Sequence, residues 1–217
     1  MDSQLSYKIY LPSNVKEGEK YPVIYAMHGM GSDEEKIISL IEEFRNEFII
    51  IGIRGSIIQQ GGFAYFSIKG YGNPDKESFD KAIKSLREFI SNAAEAYPID
   101  VNNQYLLGFS QGAILSMSLA LVMGNEIKGI AALSGYIPRF VKEEYKIKSV
   151  EETAIFISHG EFDPIFTHNI GKENYEFFKE RSRNVSFMLY PEGHEVSLKN
   201  KNDMLKWLKS LNSNNDF

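Results

Sequence analysis

Apolar positions along the chain fall into two alternating kinds of stretch. Runs at 6–11, 23–27, 48–53, 105–109, 127–133, 154–158 and 185–190 are mostly continuous, the pattern of strands covered on both faces. Between them, apolar residues recur every three or four positions. Residues 77–97 put Phe79, Ala82, Ile83, Leu86, Phe89, Ile90 and Ala93 at helical spacing and stop before Pro98. Residues 110–123 are small and apolar and end at Gly124, a residue suited to a helix C-cap. Stretches 34–44, 171–183 and 198–211 complete the predicted helices. This alternation predicts an α/β fold, with a mostly parallel central sheet of about seven strands flanked by helices on both faces. Ligand sites in such sheets lie at the carboxyl ends of the strands.

No repeat, low-complexity tract or linker interrupts the pattern, so residues 1–217 read as a single domain. Two stretches stand apart. Residues 55–74 show little periodicity, are rich in glycine and carry the aromatics Phe63, Tyr65 and Phe66; a loop that long in a small domain is more often functional than idle. The tail at 212–216 is polar and is expected to fray.

Composition narrows the chemistry. The absence of cysteine excludes disulfides, a Cys nucleophile and thiolate metal sites. A net charge of −5 without a Lys/Arg run makes nucleic acid an unexpected partner. The start, Met1-Asp2-Ser3-Gln4-Leu5, has neither a basic nor an apolar leader region, and the apolar runs fall far below the roughly 20 residues of a spanning helix. The expectation is a cytoplasmic protein without stable membrane insertion, a monomer or homodimer, acting on a small molecule.

The strongest motif is Gly108-Phe109-Ser110-Gln111-Gly112. It follows an apolar run and opens a predicted helix, which is the strand–turn–helix context that a G-x-S-x-G nucleophile requires. The flanking glycines leave room for strand and helix to approach closely, and the serine oxygen projects at a helix N-terminus. His28-Gly29-Met30-Gly31 follows the 23–27 strand; loops of this type give one backbone N–H to an oxyanion hole. The expected donors are Met30 and Gln111. His28 itself is read as a structural residue.

On an α/β-hydrolase fold the nucleophile is followed by an acid and then by a histidine. Asp163 follows the strand ending in Ser158-His159 and is the expected acid, with Glu161 as its nearest competitor. His168 is too close to Asp163 in the chain to serve as base and is expected to begin a helix. His194, in the loop after the 185–190 strand, completes the ordered set. Ser110, His194 and Asp163 would then perform acyl transfer through an acyl-enzyme, with no cofactor.

In five segments the chain resembles the phospholipase/carboxylesterase family, the small lidless α/β-hydrolases that include acyl-protein thioesterases. The segments are His28-Gly29-Met30-Gly31-Ser32-Asp33, Gly108-Phe109-Ser110-Gln111-Gly112-Ala113, Leu133-Ser134-Gly135-Tyr136-Ile137-Pro138, His159-Gly160-Glu161-Phe162-Asp163 and Gly193-His194. The resemblance implies a carboxylesterase acting on small to medium acyl esters, with a thioesterase or lysophospholipase as the alternative. The family's aromatic loop corresponds to 61–66, and the chain departs from the family there in lacking a Trp and again at Pro164-Ile165-Phe166, which is bulkier than the resemblance implies and would narrow the acyl pocket. Phe63, Tyr65, Phe66, Phe162 and Ile165 are the expected pocket walls. A non-catalytic binding module on the same fold is disfavoured because the serine, acid and histidine are all present.

Overall fold

The computed structural model describes residues 5–59 and 61–213. The chain begins with β1 (Tyr7–Tyr10), β2 (Tyr21–Met27), α1 (Glu34–Ile38) and β3 (Ile49–Ile53). Four short strands follow, β4 (Ile57–Gln59), β5 (Gly62–Ala64), β6 (Ile68–Gly70) and β7 (Asn73–Pro74), and then α2 (Lys76–Ala96). Next come β8 (Ile99–Phe109), α3 (Gln111–Met123), β9 (Gly129–Leu133), α4 (Arg139–Glu144) and β10 (Ala154–Gly160). The chain ends with α5 (His168–Lys179), β11 (Val185–Tyr190) and α6 (Leu198–Ser213).

Seven strands form one sheet in the order β1-β3-β2-β8-β9-β10-β11. Only the β1–β3 pair is antiparallel; the others are parallel. Alternate residues of the inner strands face two cores, which explains why their sequences are apolar without alternation. Val23, Tyr25 and Met27 of β2 join Phe79 and Leu86 of α2 and Leu115 of α3 on one face. Ile24 and Ala26 join Ile37 and Ile38 of α1 and Met204 and Leu208 of α6 on the other.

Local chemistry sets the helix ends. The Asp75 carboxylate accepts the Ser78 N–H at 3.0 Å and caps α2, and Asp33 does the same for α1 through Lys36 N–H. The predicted 34–44 helix is corrected. After Ile38 the backbone bonds tighten to the three-residue spacing, Leu40 N–H to Ile37 O and Ile41 N–H to Ile38 O, and a separate turn of that tighter kind covers Glu42–Phe44. Residues 55–74, read as an irregular loop, hold two hairpins, β4–β5 and β6–β7. Glycines at positive φ shape them: Gly61 (88°), Gly70 (153°) and Gly72 (76°). Of the tail expected to fray, Asn212 and Ser213 continue α6, while 214–216 lie outside the described residues.

The strand order reverses between β2 and β8, so the loops after these two strands flank a crevice at the carboxyl edge. The backbone there is unusually crowded. A Cβ on Gly108 would lie 2.1 Å from the backbone of Gly112, and one on Gly112 would lie 1.9 Å from the Met27 carbonyl oxygen. These contacts leave no room for a side chain. Gly112→Ala is therefore expected to destabilise the protein by roughly 3 kcal/mol, through forced separation of α3 from β2; urea denaturation of the variant against the parent measures it.

Candidate active site

Ser110 sits between β8 and α3 with φ 53° and ψ −113°, a strained backbone for a residue with a side chain. Its N–H donates to Leu133 O at the end of β9 (2.9 Å), and Gly112 N–H donates to His28 O (3.1 Å). The turn is thus stitched to both neighbouring strands. Its hydroxyl lies 2.8 Å from His194 Nε2. His194 Nδ1 lies 2.7 Å from Asp163 Oδ2. An unbroken chain of hydrogen bonds joins three residues that are 84 and 31 positions apart.

Each partner is held in turn. The Asp163 side chain is fully buried, and its Oδ1 accepts the Ile165 and Phe166 N–H groups at 2.8 and 2.9 Å. Two backbone donors and an imidazole thus satisfy a carboxylate without water. The His194 ring is held between Phe109 (5.0 Å) and Phe166 (5.5 Å). Its loop is tied to α6 through Glu192, which accepts Ser197 N–H (2.9 Å) and Asn200 Nδ2–H (2.8 Å). The loops that carry Asp163 and His194 are also joined directly, by Phe162 N–H to Glu192 O at 3.0 Å.

The backbone N–H groups of Met30 and Gln111 have no acceptor among the described residues. Both residues line a cleft of about 180 Å³ beside Ser110 and His194. Of the expected walls, Phe66 and Ile165 line this cleft; Phe63, Tyr65 and Phe162 do not. Phe63 instead closes the 29–32 loop, its N–H donating to Ser32 O and its carbonyl accepting Gly31 N–H, each at 2.8 Å. Its ring lies beneath Arg54 at 4.6 Å. Tyr65 is buried in the core. Phe162 points outward, 67% exposed. Phe166, expected to narrow the pocket, lines the cleft as well; Ile68, Tyr71, Ile114 and Tyr136 add to the apolar lining and are not among the pocket walls expected from sequence. Ile114 was within reach, because it follows Ser110 by one helical turn.

The other histidines have different surroundings. His28 is buried, donates Nδ1–H to Gly29 O (2.7 Å) and accepts Gly55 N–H at Nε2 (3.0 Å). His159 is buried with Nε2–H on Phe166 O at 2.9 Å. His168 begins α5 and is exposed, as is Glu161. Among the described residues no group of three or more His, Asp or Glu could hold a metal ion, and no helix is long and apolar enough to cross a membrane. A larger groove of about 1320 Å³ lies at the opposite ends of β8 and β9, between residues such as Arg87 and Lys128, with no histidine in its lining.

Residues 14–212 match the sequence profile described as Phospholipase/Carboxylesterase. The chain is 33% identical over 159 residues to acyl-protein thioesterase 1 of Candida albicans, covering 68% of each chain. It is 23% identical over 194 residues to the putative hydrolase MhqD of Bacillus subtilis, covering 89% of this chain and 96% of the other. Among solved structures, a Bacillus cereus carboxylesterase superposes with a TM-score of 0.86 at 23% identity, over 97% and 96% of the two chains. A Mesorhizobium loti carboxylesterase does so with a TM-score of 0.82 at 19% identity, over 96% of each. At such identities the structural matches establish the α/β-hydrolase fold.

Burial lowers the proton affinity of both His28 and His159 below the ordinary value of 6.5. Unfolding restores that value, so the unfolded chain binds more protons on the acid side. Their contribution to stability is complete above pH 6.5 and is lost as the pH falls toward the lowered folded values. The unfolding free energy from urea titrations is expected to drop between pH 7.5 and 5, by up to about 1.4 kcal/mol per pH unit for each ring. In His159→Gln this acid-side slope should be shallower.

Proposed function

The chain belongs to the phospholipase/carboxylesterase family, and on that premise we propose that it is a serine hydrolase of small to medium carboxylic esters, acting through Ser110, His194 and Asp163 in one α/β-hydrolase domain. The observation that carries this reading is the continuous Ser110–His194–Asp163 hydrogen-bond chain on a strained turn. The Asp163 carboxylate can only accept, so His194 carries its proton on Nδ1 and offers the Nε2 lone pair to the serine hydroxyl. As Oγ attacks the acyl carbon, its proton passes to Nε2, and the imidazolium so formed is stabilised by Asp163. The oxyanion accepts the N–H groups of Met30 and Gln111, which stand free for this purpose. The proton then goes to the leaving alcohol, and water repeats the sequence on the acyl-enzyme.

The cleft supports the substrate size. An apolar cavity of about 150 Å³ accommodates benzene, so about 180 Å³ suits an acyl chain of roughly six carbons. Among the described residues no Asp, Glu, Lys or Arg lines the cleft, which favours uncharged acyl groups. Thioester hydrolysis is the second reading, favoured by the Candida albicans relative's name; it needs no change in the residues or steps.

Hydrolysis of p-nitrophenyl esters from C2 to C16 tests the proposal. Wild-type kcat/KM is expected to rise roughly fourfold per methylene to about C6 and then to level or fall. Ser110→Ala should lose at least roughly 10³-fold and Asp163→Asn about 10⁴-fold in kcat. An inactive wild type, or a Ser110→Ala variant that matches it, would overturn the reading. Matched acyl thioesters assayed in parallel separate the two activities.

A further inference from the structure

We propose that Tyr65 is the positioning residue of the oxyanion hole, fastening from one buried point the two elements that carry its donors. The inference rests on the preceding reading of Met30 and Gln111. These donors belong to different elements, the loop after β2 and the first residue of α3, and Tyr65 bonds to both. Its hydroxyl donates to Ile53 O at 2.5 Å, which leaves its lone pairs to accept His28 N–H at 3.0 Å. That second bond fixes the peptide two residues before Met30. The Tyr65 backbone N–H donates to Gln111 Oε1 at 2.8 Å, while Gln111 Nε2–H donates to Phe66 O at 2.7 Å. The Gln111 amide is thereby clamped on both sides, next to its own free backbone N–H.

The Tyr65 ring packs on that of His28 at 4.7 Å, and His28 in turn holds Gly29 O and Gly55 N–H. Tyr65 is 3% exposed, and His28 and Gln111 are similarly enclosed. The network therefore operates without competition from water. Tyr65 does not line the cleft, so it touches no reacting atom and acts through the donors. Oxyanion donors are effective because they are already in place when charge develops, and a displacement of about 1 Å can cost about 10²-fold in rate.

Tyr65→Phe keeps the ring and removes the hydroxyl. Its kcat is expected to fall roughly ten- to hundredfold with KM within about twofold, the pattern of an interaction made only in the transition state. Affinity for an alkyl boronic acid, which forms a tetrahedral adduct with serine, should fall by the same factor. The control is Tyr25→Phe, which loses a buried hydroxyl bonded to Gln104 Oε1 and Ile90 O and should lower Tm without changing kcat.

A Tyr65→Phe variant that behaves like this control would overturn the proposal, as would a rise in KM at unchanged kcat. Should Tyr65→Phe not fold, Gln111→Met keeps the backbone donor, loses both side-chain bonds and carries the same expectation; unchanged kcat there also overturns it. Failure of the underlying reading is recognised separately, by a wild type whose ester hydrolysis does not depend on Ser110.

Discussion

The packing of three backbones against one another at Gly108, Gly112 and Met27 is the constraint on which the site depends. With side chains at either glycine, α3 could not reach β2 and β8, and the turn between them could not be so sharp. The sharpness drives Ser110 into positive φ and lifts its hydroxyl clear of the sheet. The same closeness lets Gly112 N–H bond to His28 O, which brings the 28–33 loop beside the helix N-terminus. One steric fact thus sets the serine oxygen and both unpaired N–H groups in one frame. Asp163 and His194 are added from the far side of the sheet by the loops after β10 and β11.

Buried carboxylates organise that far side. Asp163 has its partners within its own loop and on His194. Glu192 is also buried and holds the loop that carries His194 to the start of α6. A carboxylate in such surroundings tolerates no vacant position, since an unpaired buried charge costs several kcal/mol. The two loops are consequently fixed relative to each other before any substrate arrives. Rigidity of this kind keeps the imidazole within hydrogen-bond distance of two partners at once.

The sequence was most legible where physics acts over short distances. The inner strands announced themselves because they are covered on both faces, as with Ile49, Ile50 and Ile51 on two cores. The serine turn was legible because its two glycines have a steric role that no other residue could fill. The residues the structure joins to Ser110 followed from chain order. Residues 57–74 were not legible, because strands of two or three residues have no measurable period and owe their shape to glycines at positive φ. Tyr65 was misread as a pocket wall for a related reason: its aromatic neighbours Phe63 and Phe66 look identical in sequence, while one lies under Arg54, one in the core and one on the cleft. The lead-in to β8 was also missed, since Asp100, Asn102 and Asn103 are polar.

Much of the cleft comes from one continuous piece of chain. Phe66, Ile68, Tyr71 and Gly72 all line it and all lie outside the seven-stranded sheet. The piece is bounded by two anchors, Tyr65 on one side and the α2 cap Asp75 on the other. Within it the exposed Tyr71 and Gly72 can change character with little effect on the strands or the serine turn. A lineage carrying this architecture could therefore move from one acyl group to another through a single replacement, inheriting its chemistry intact while its diet changes.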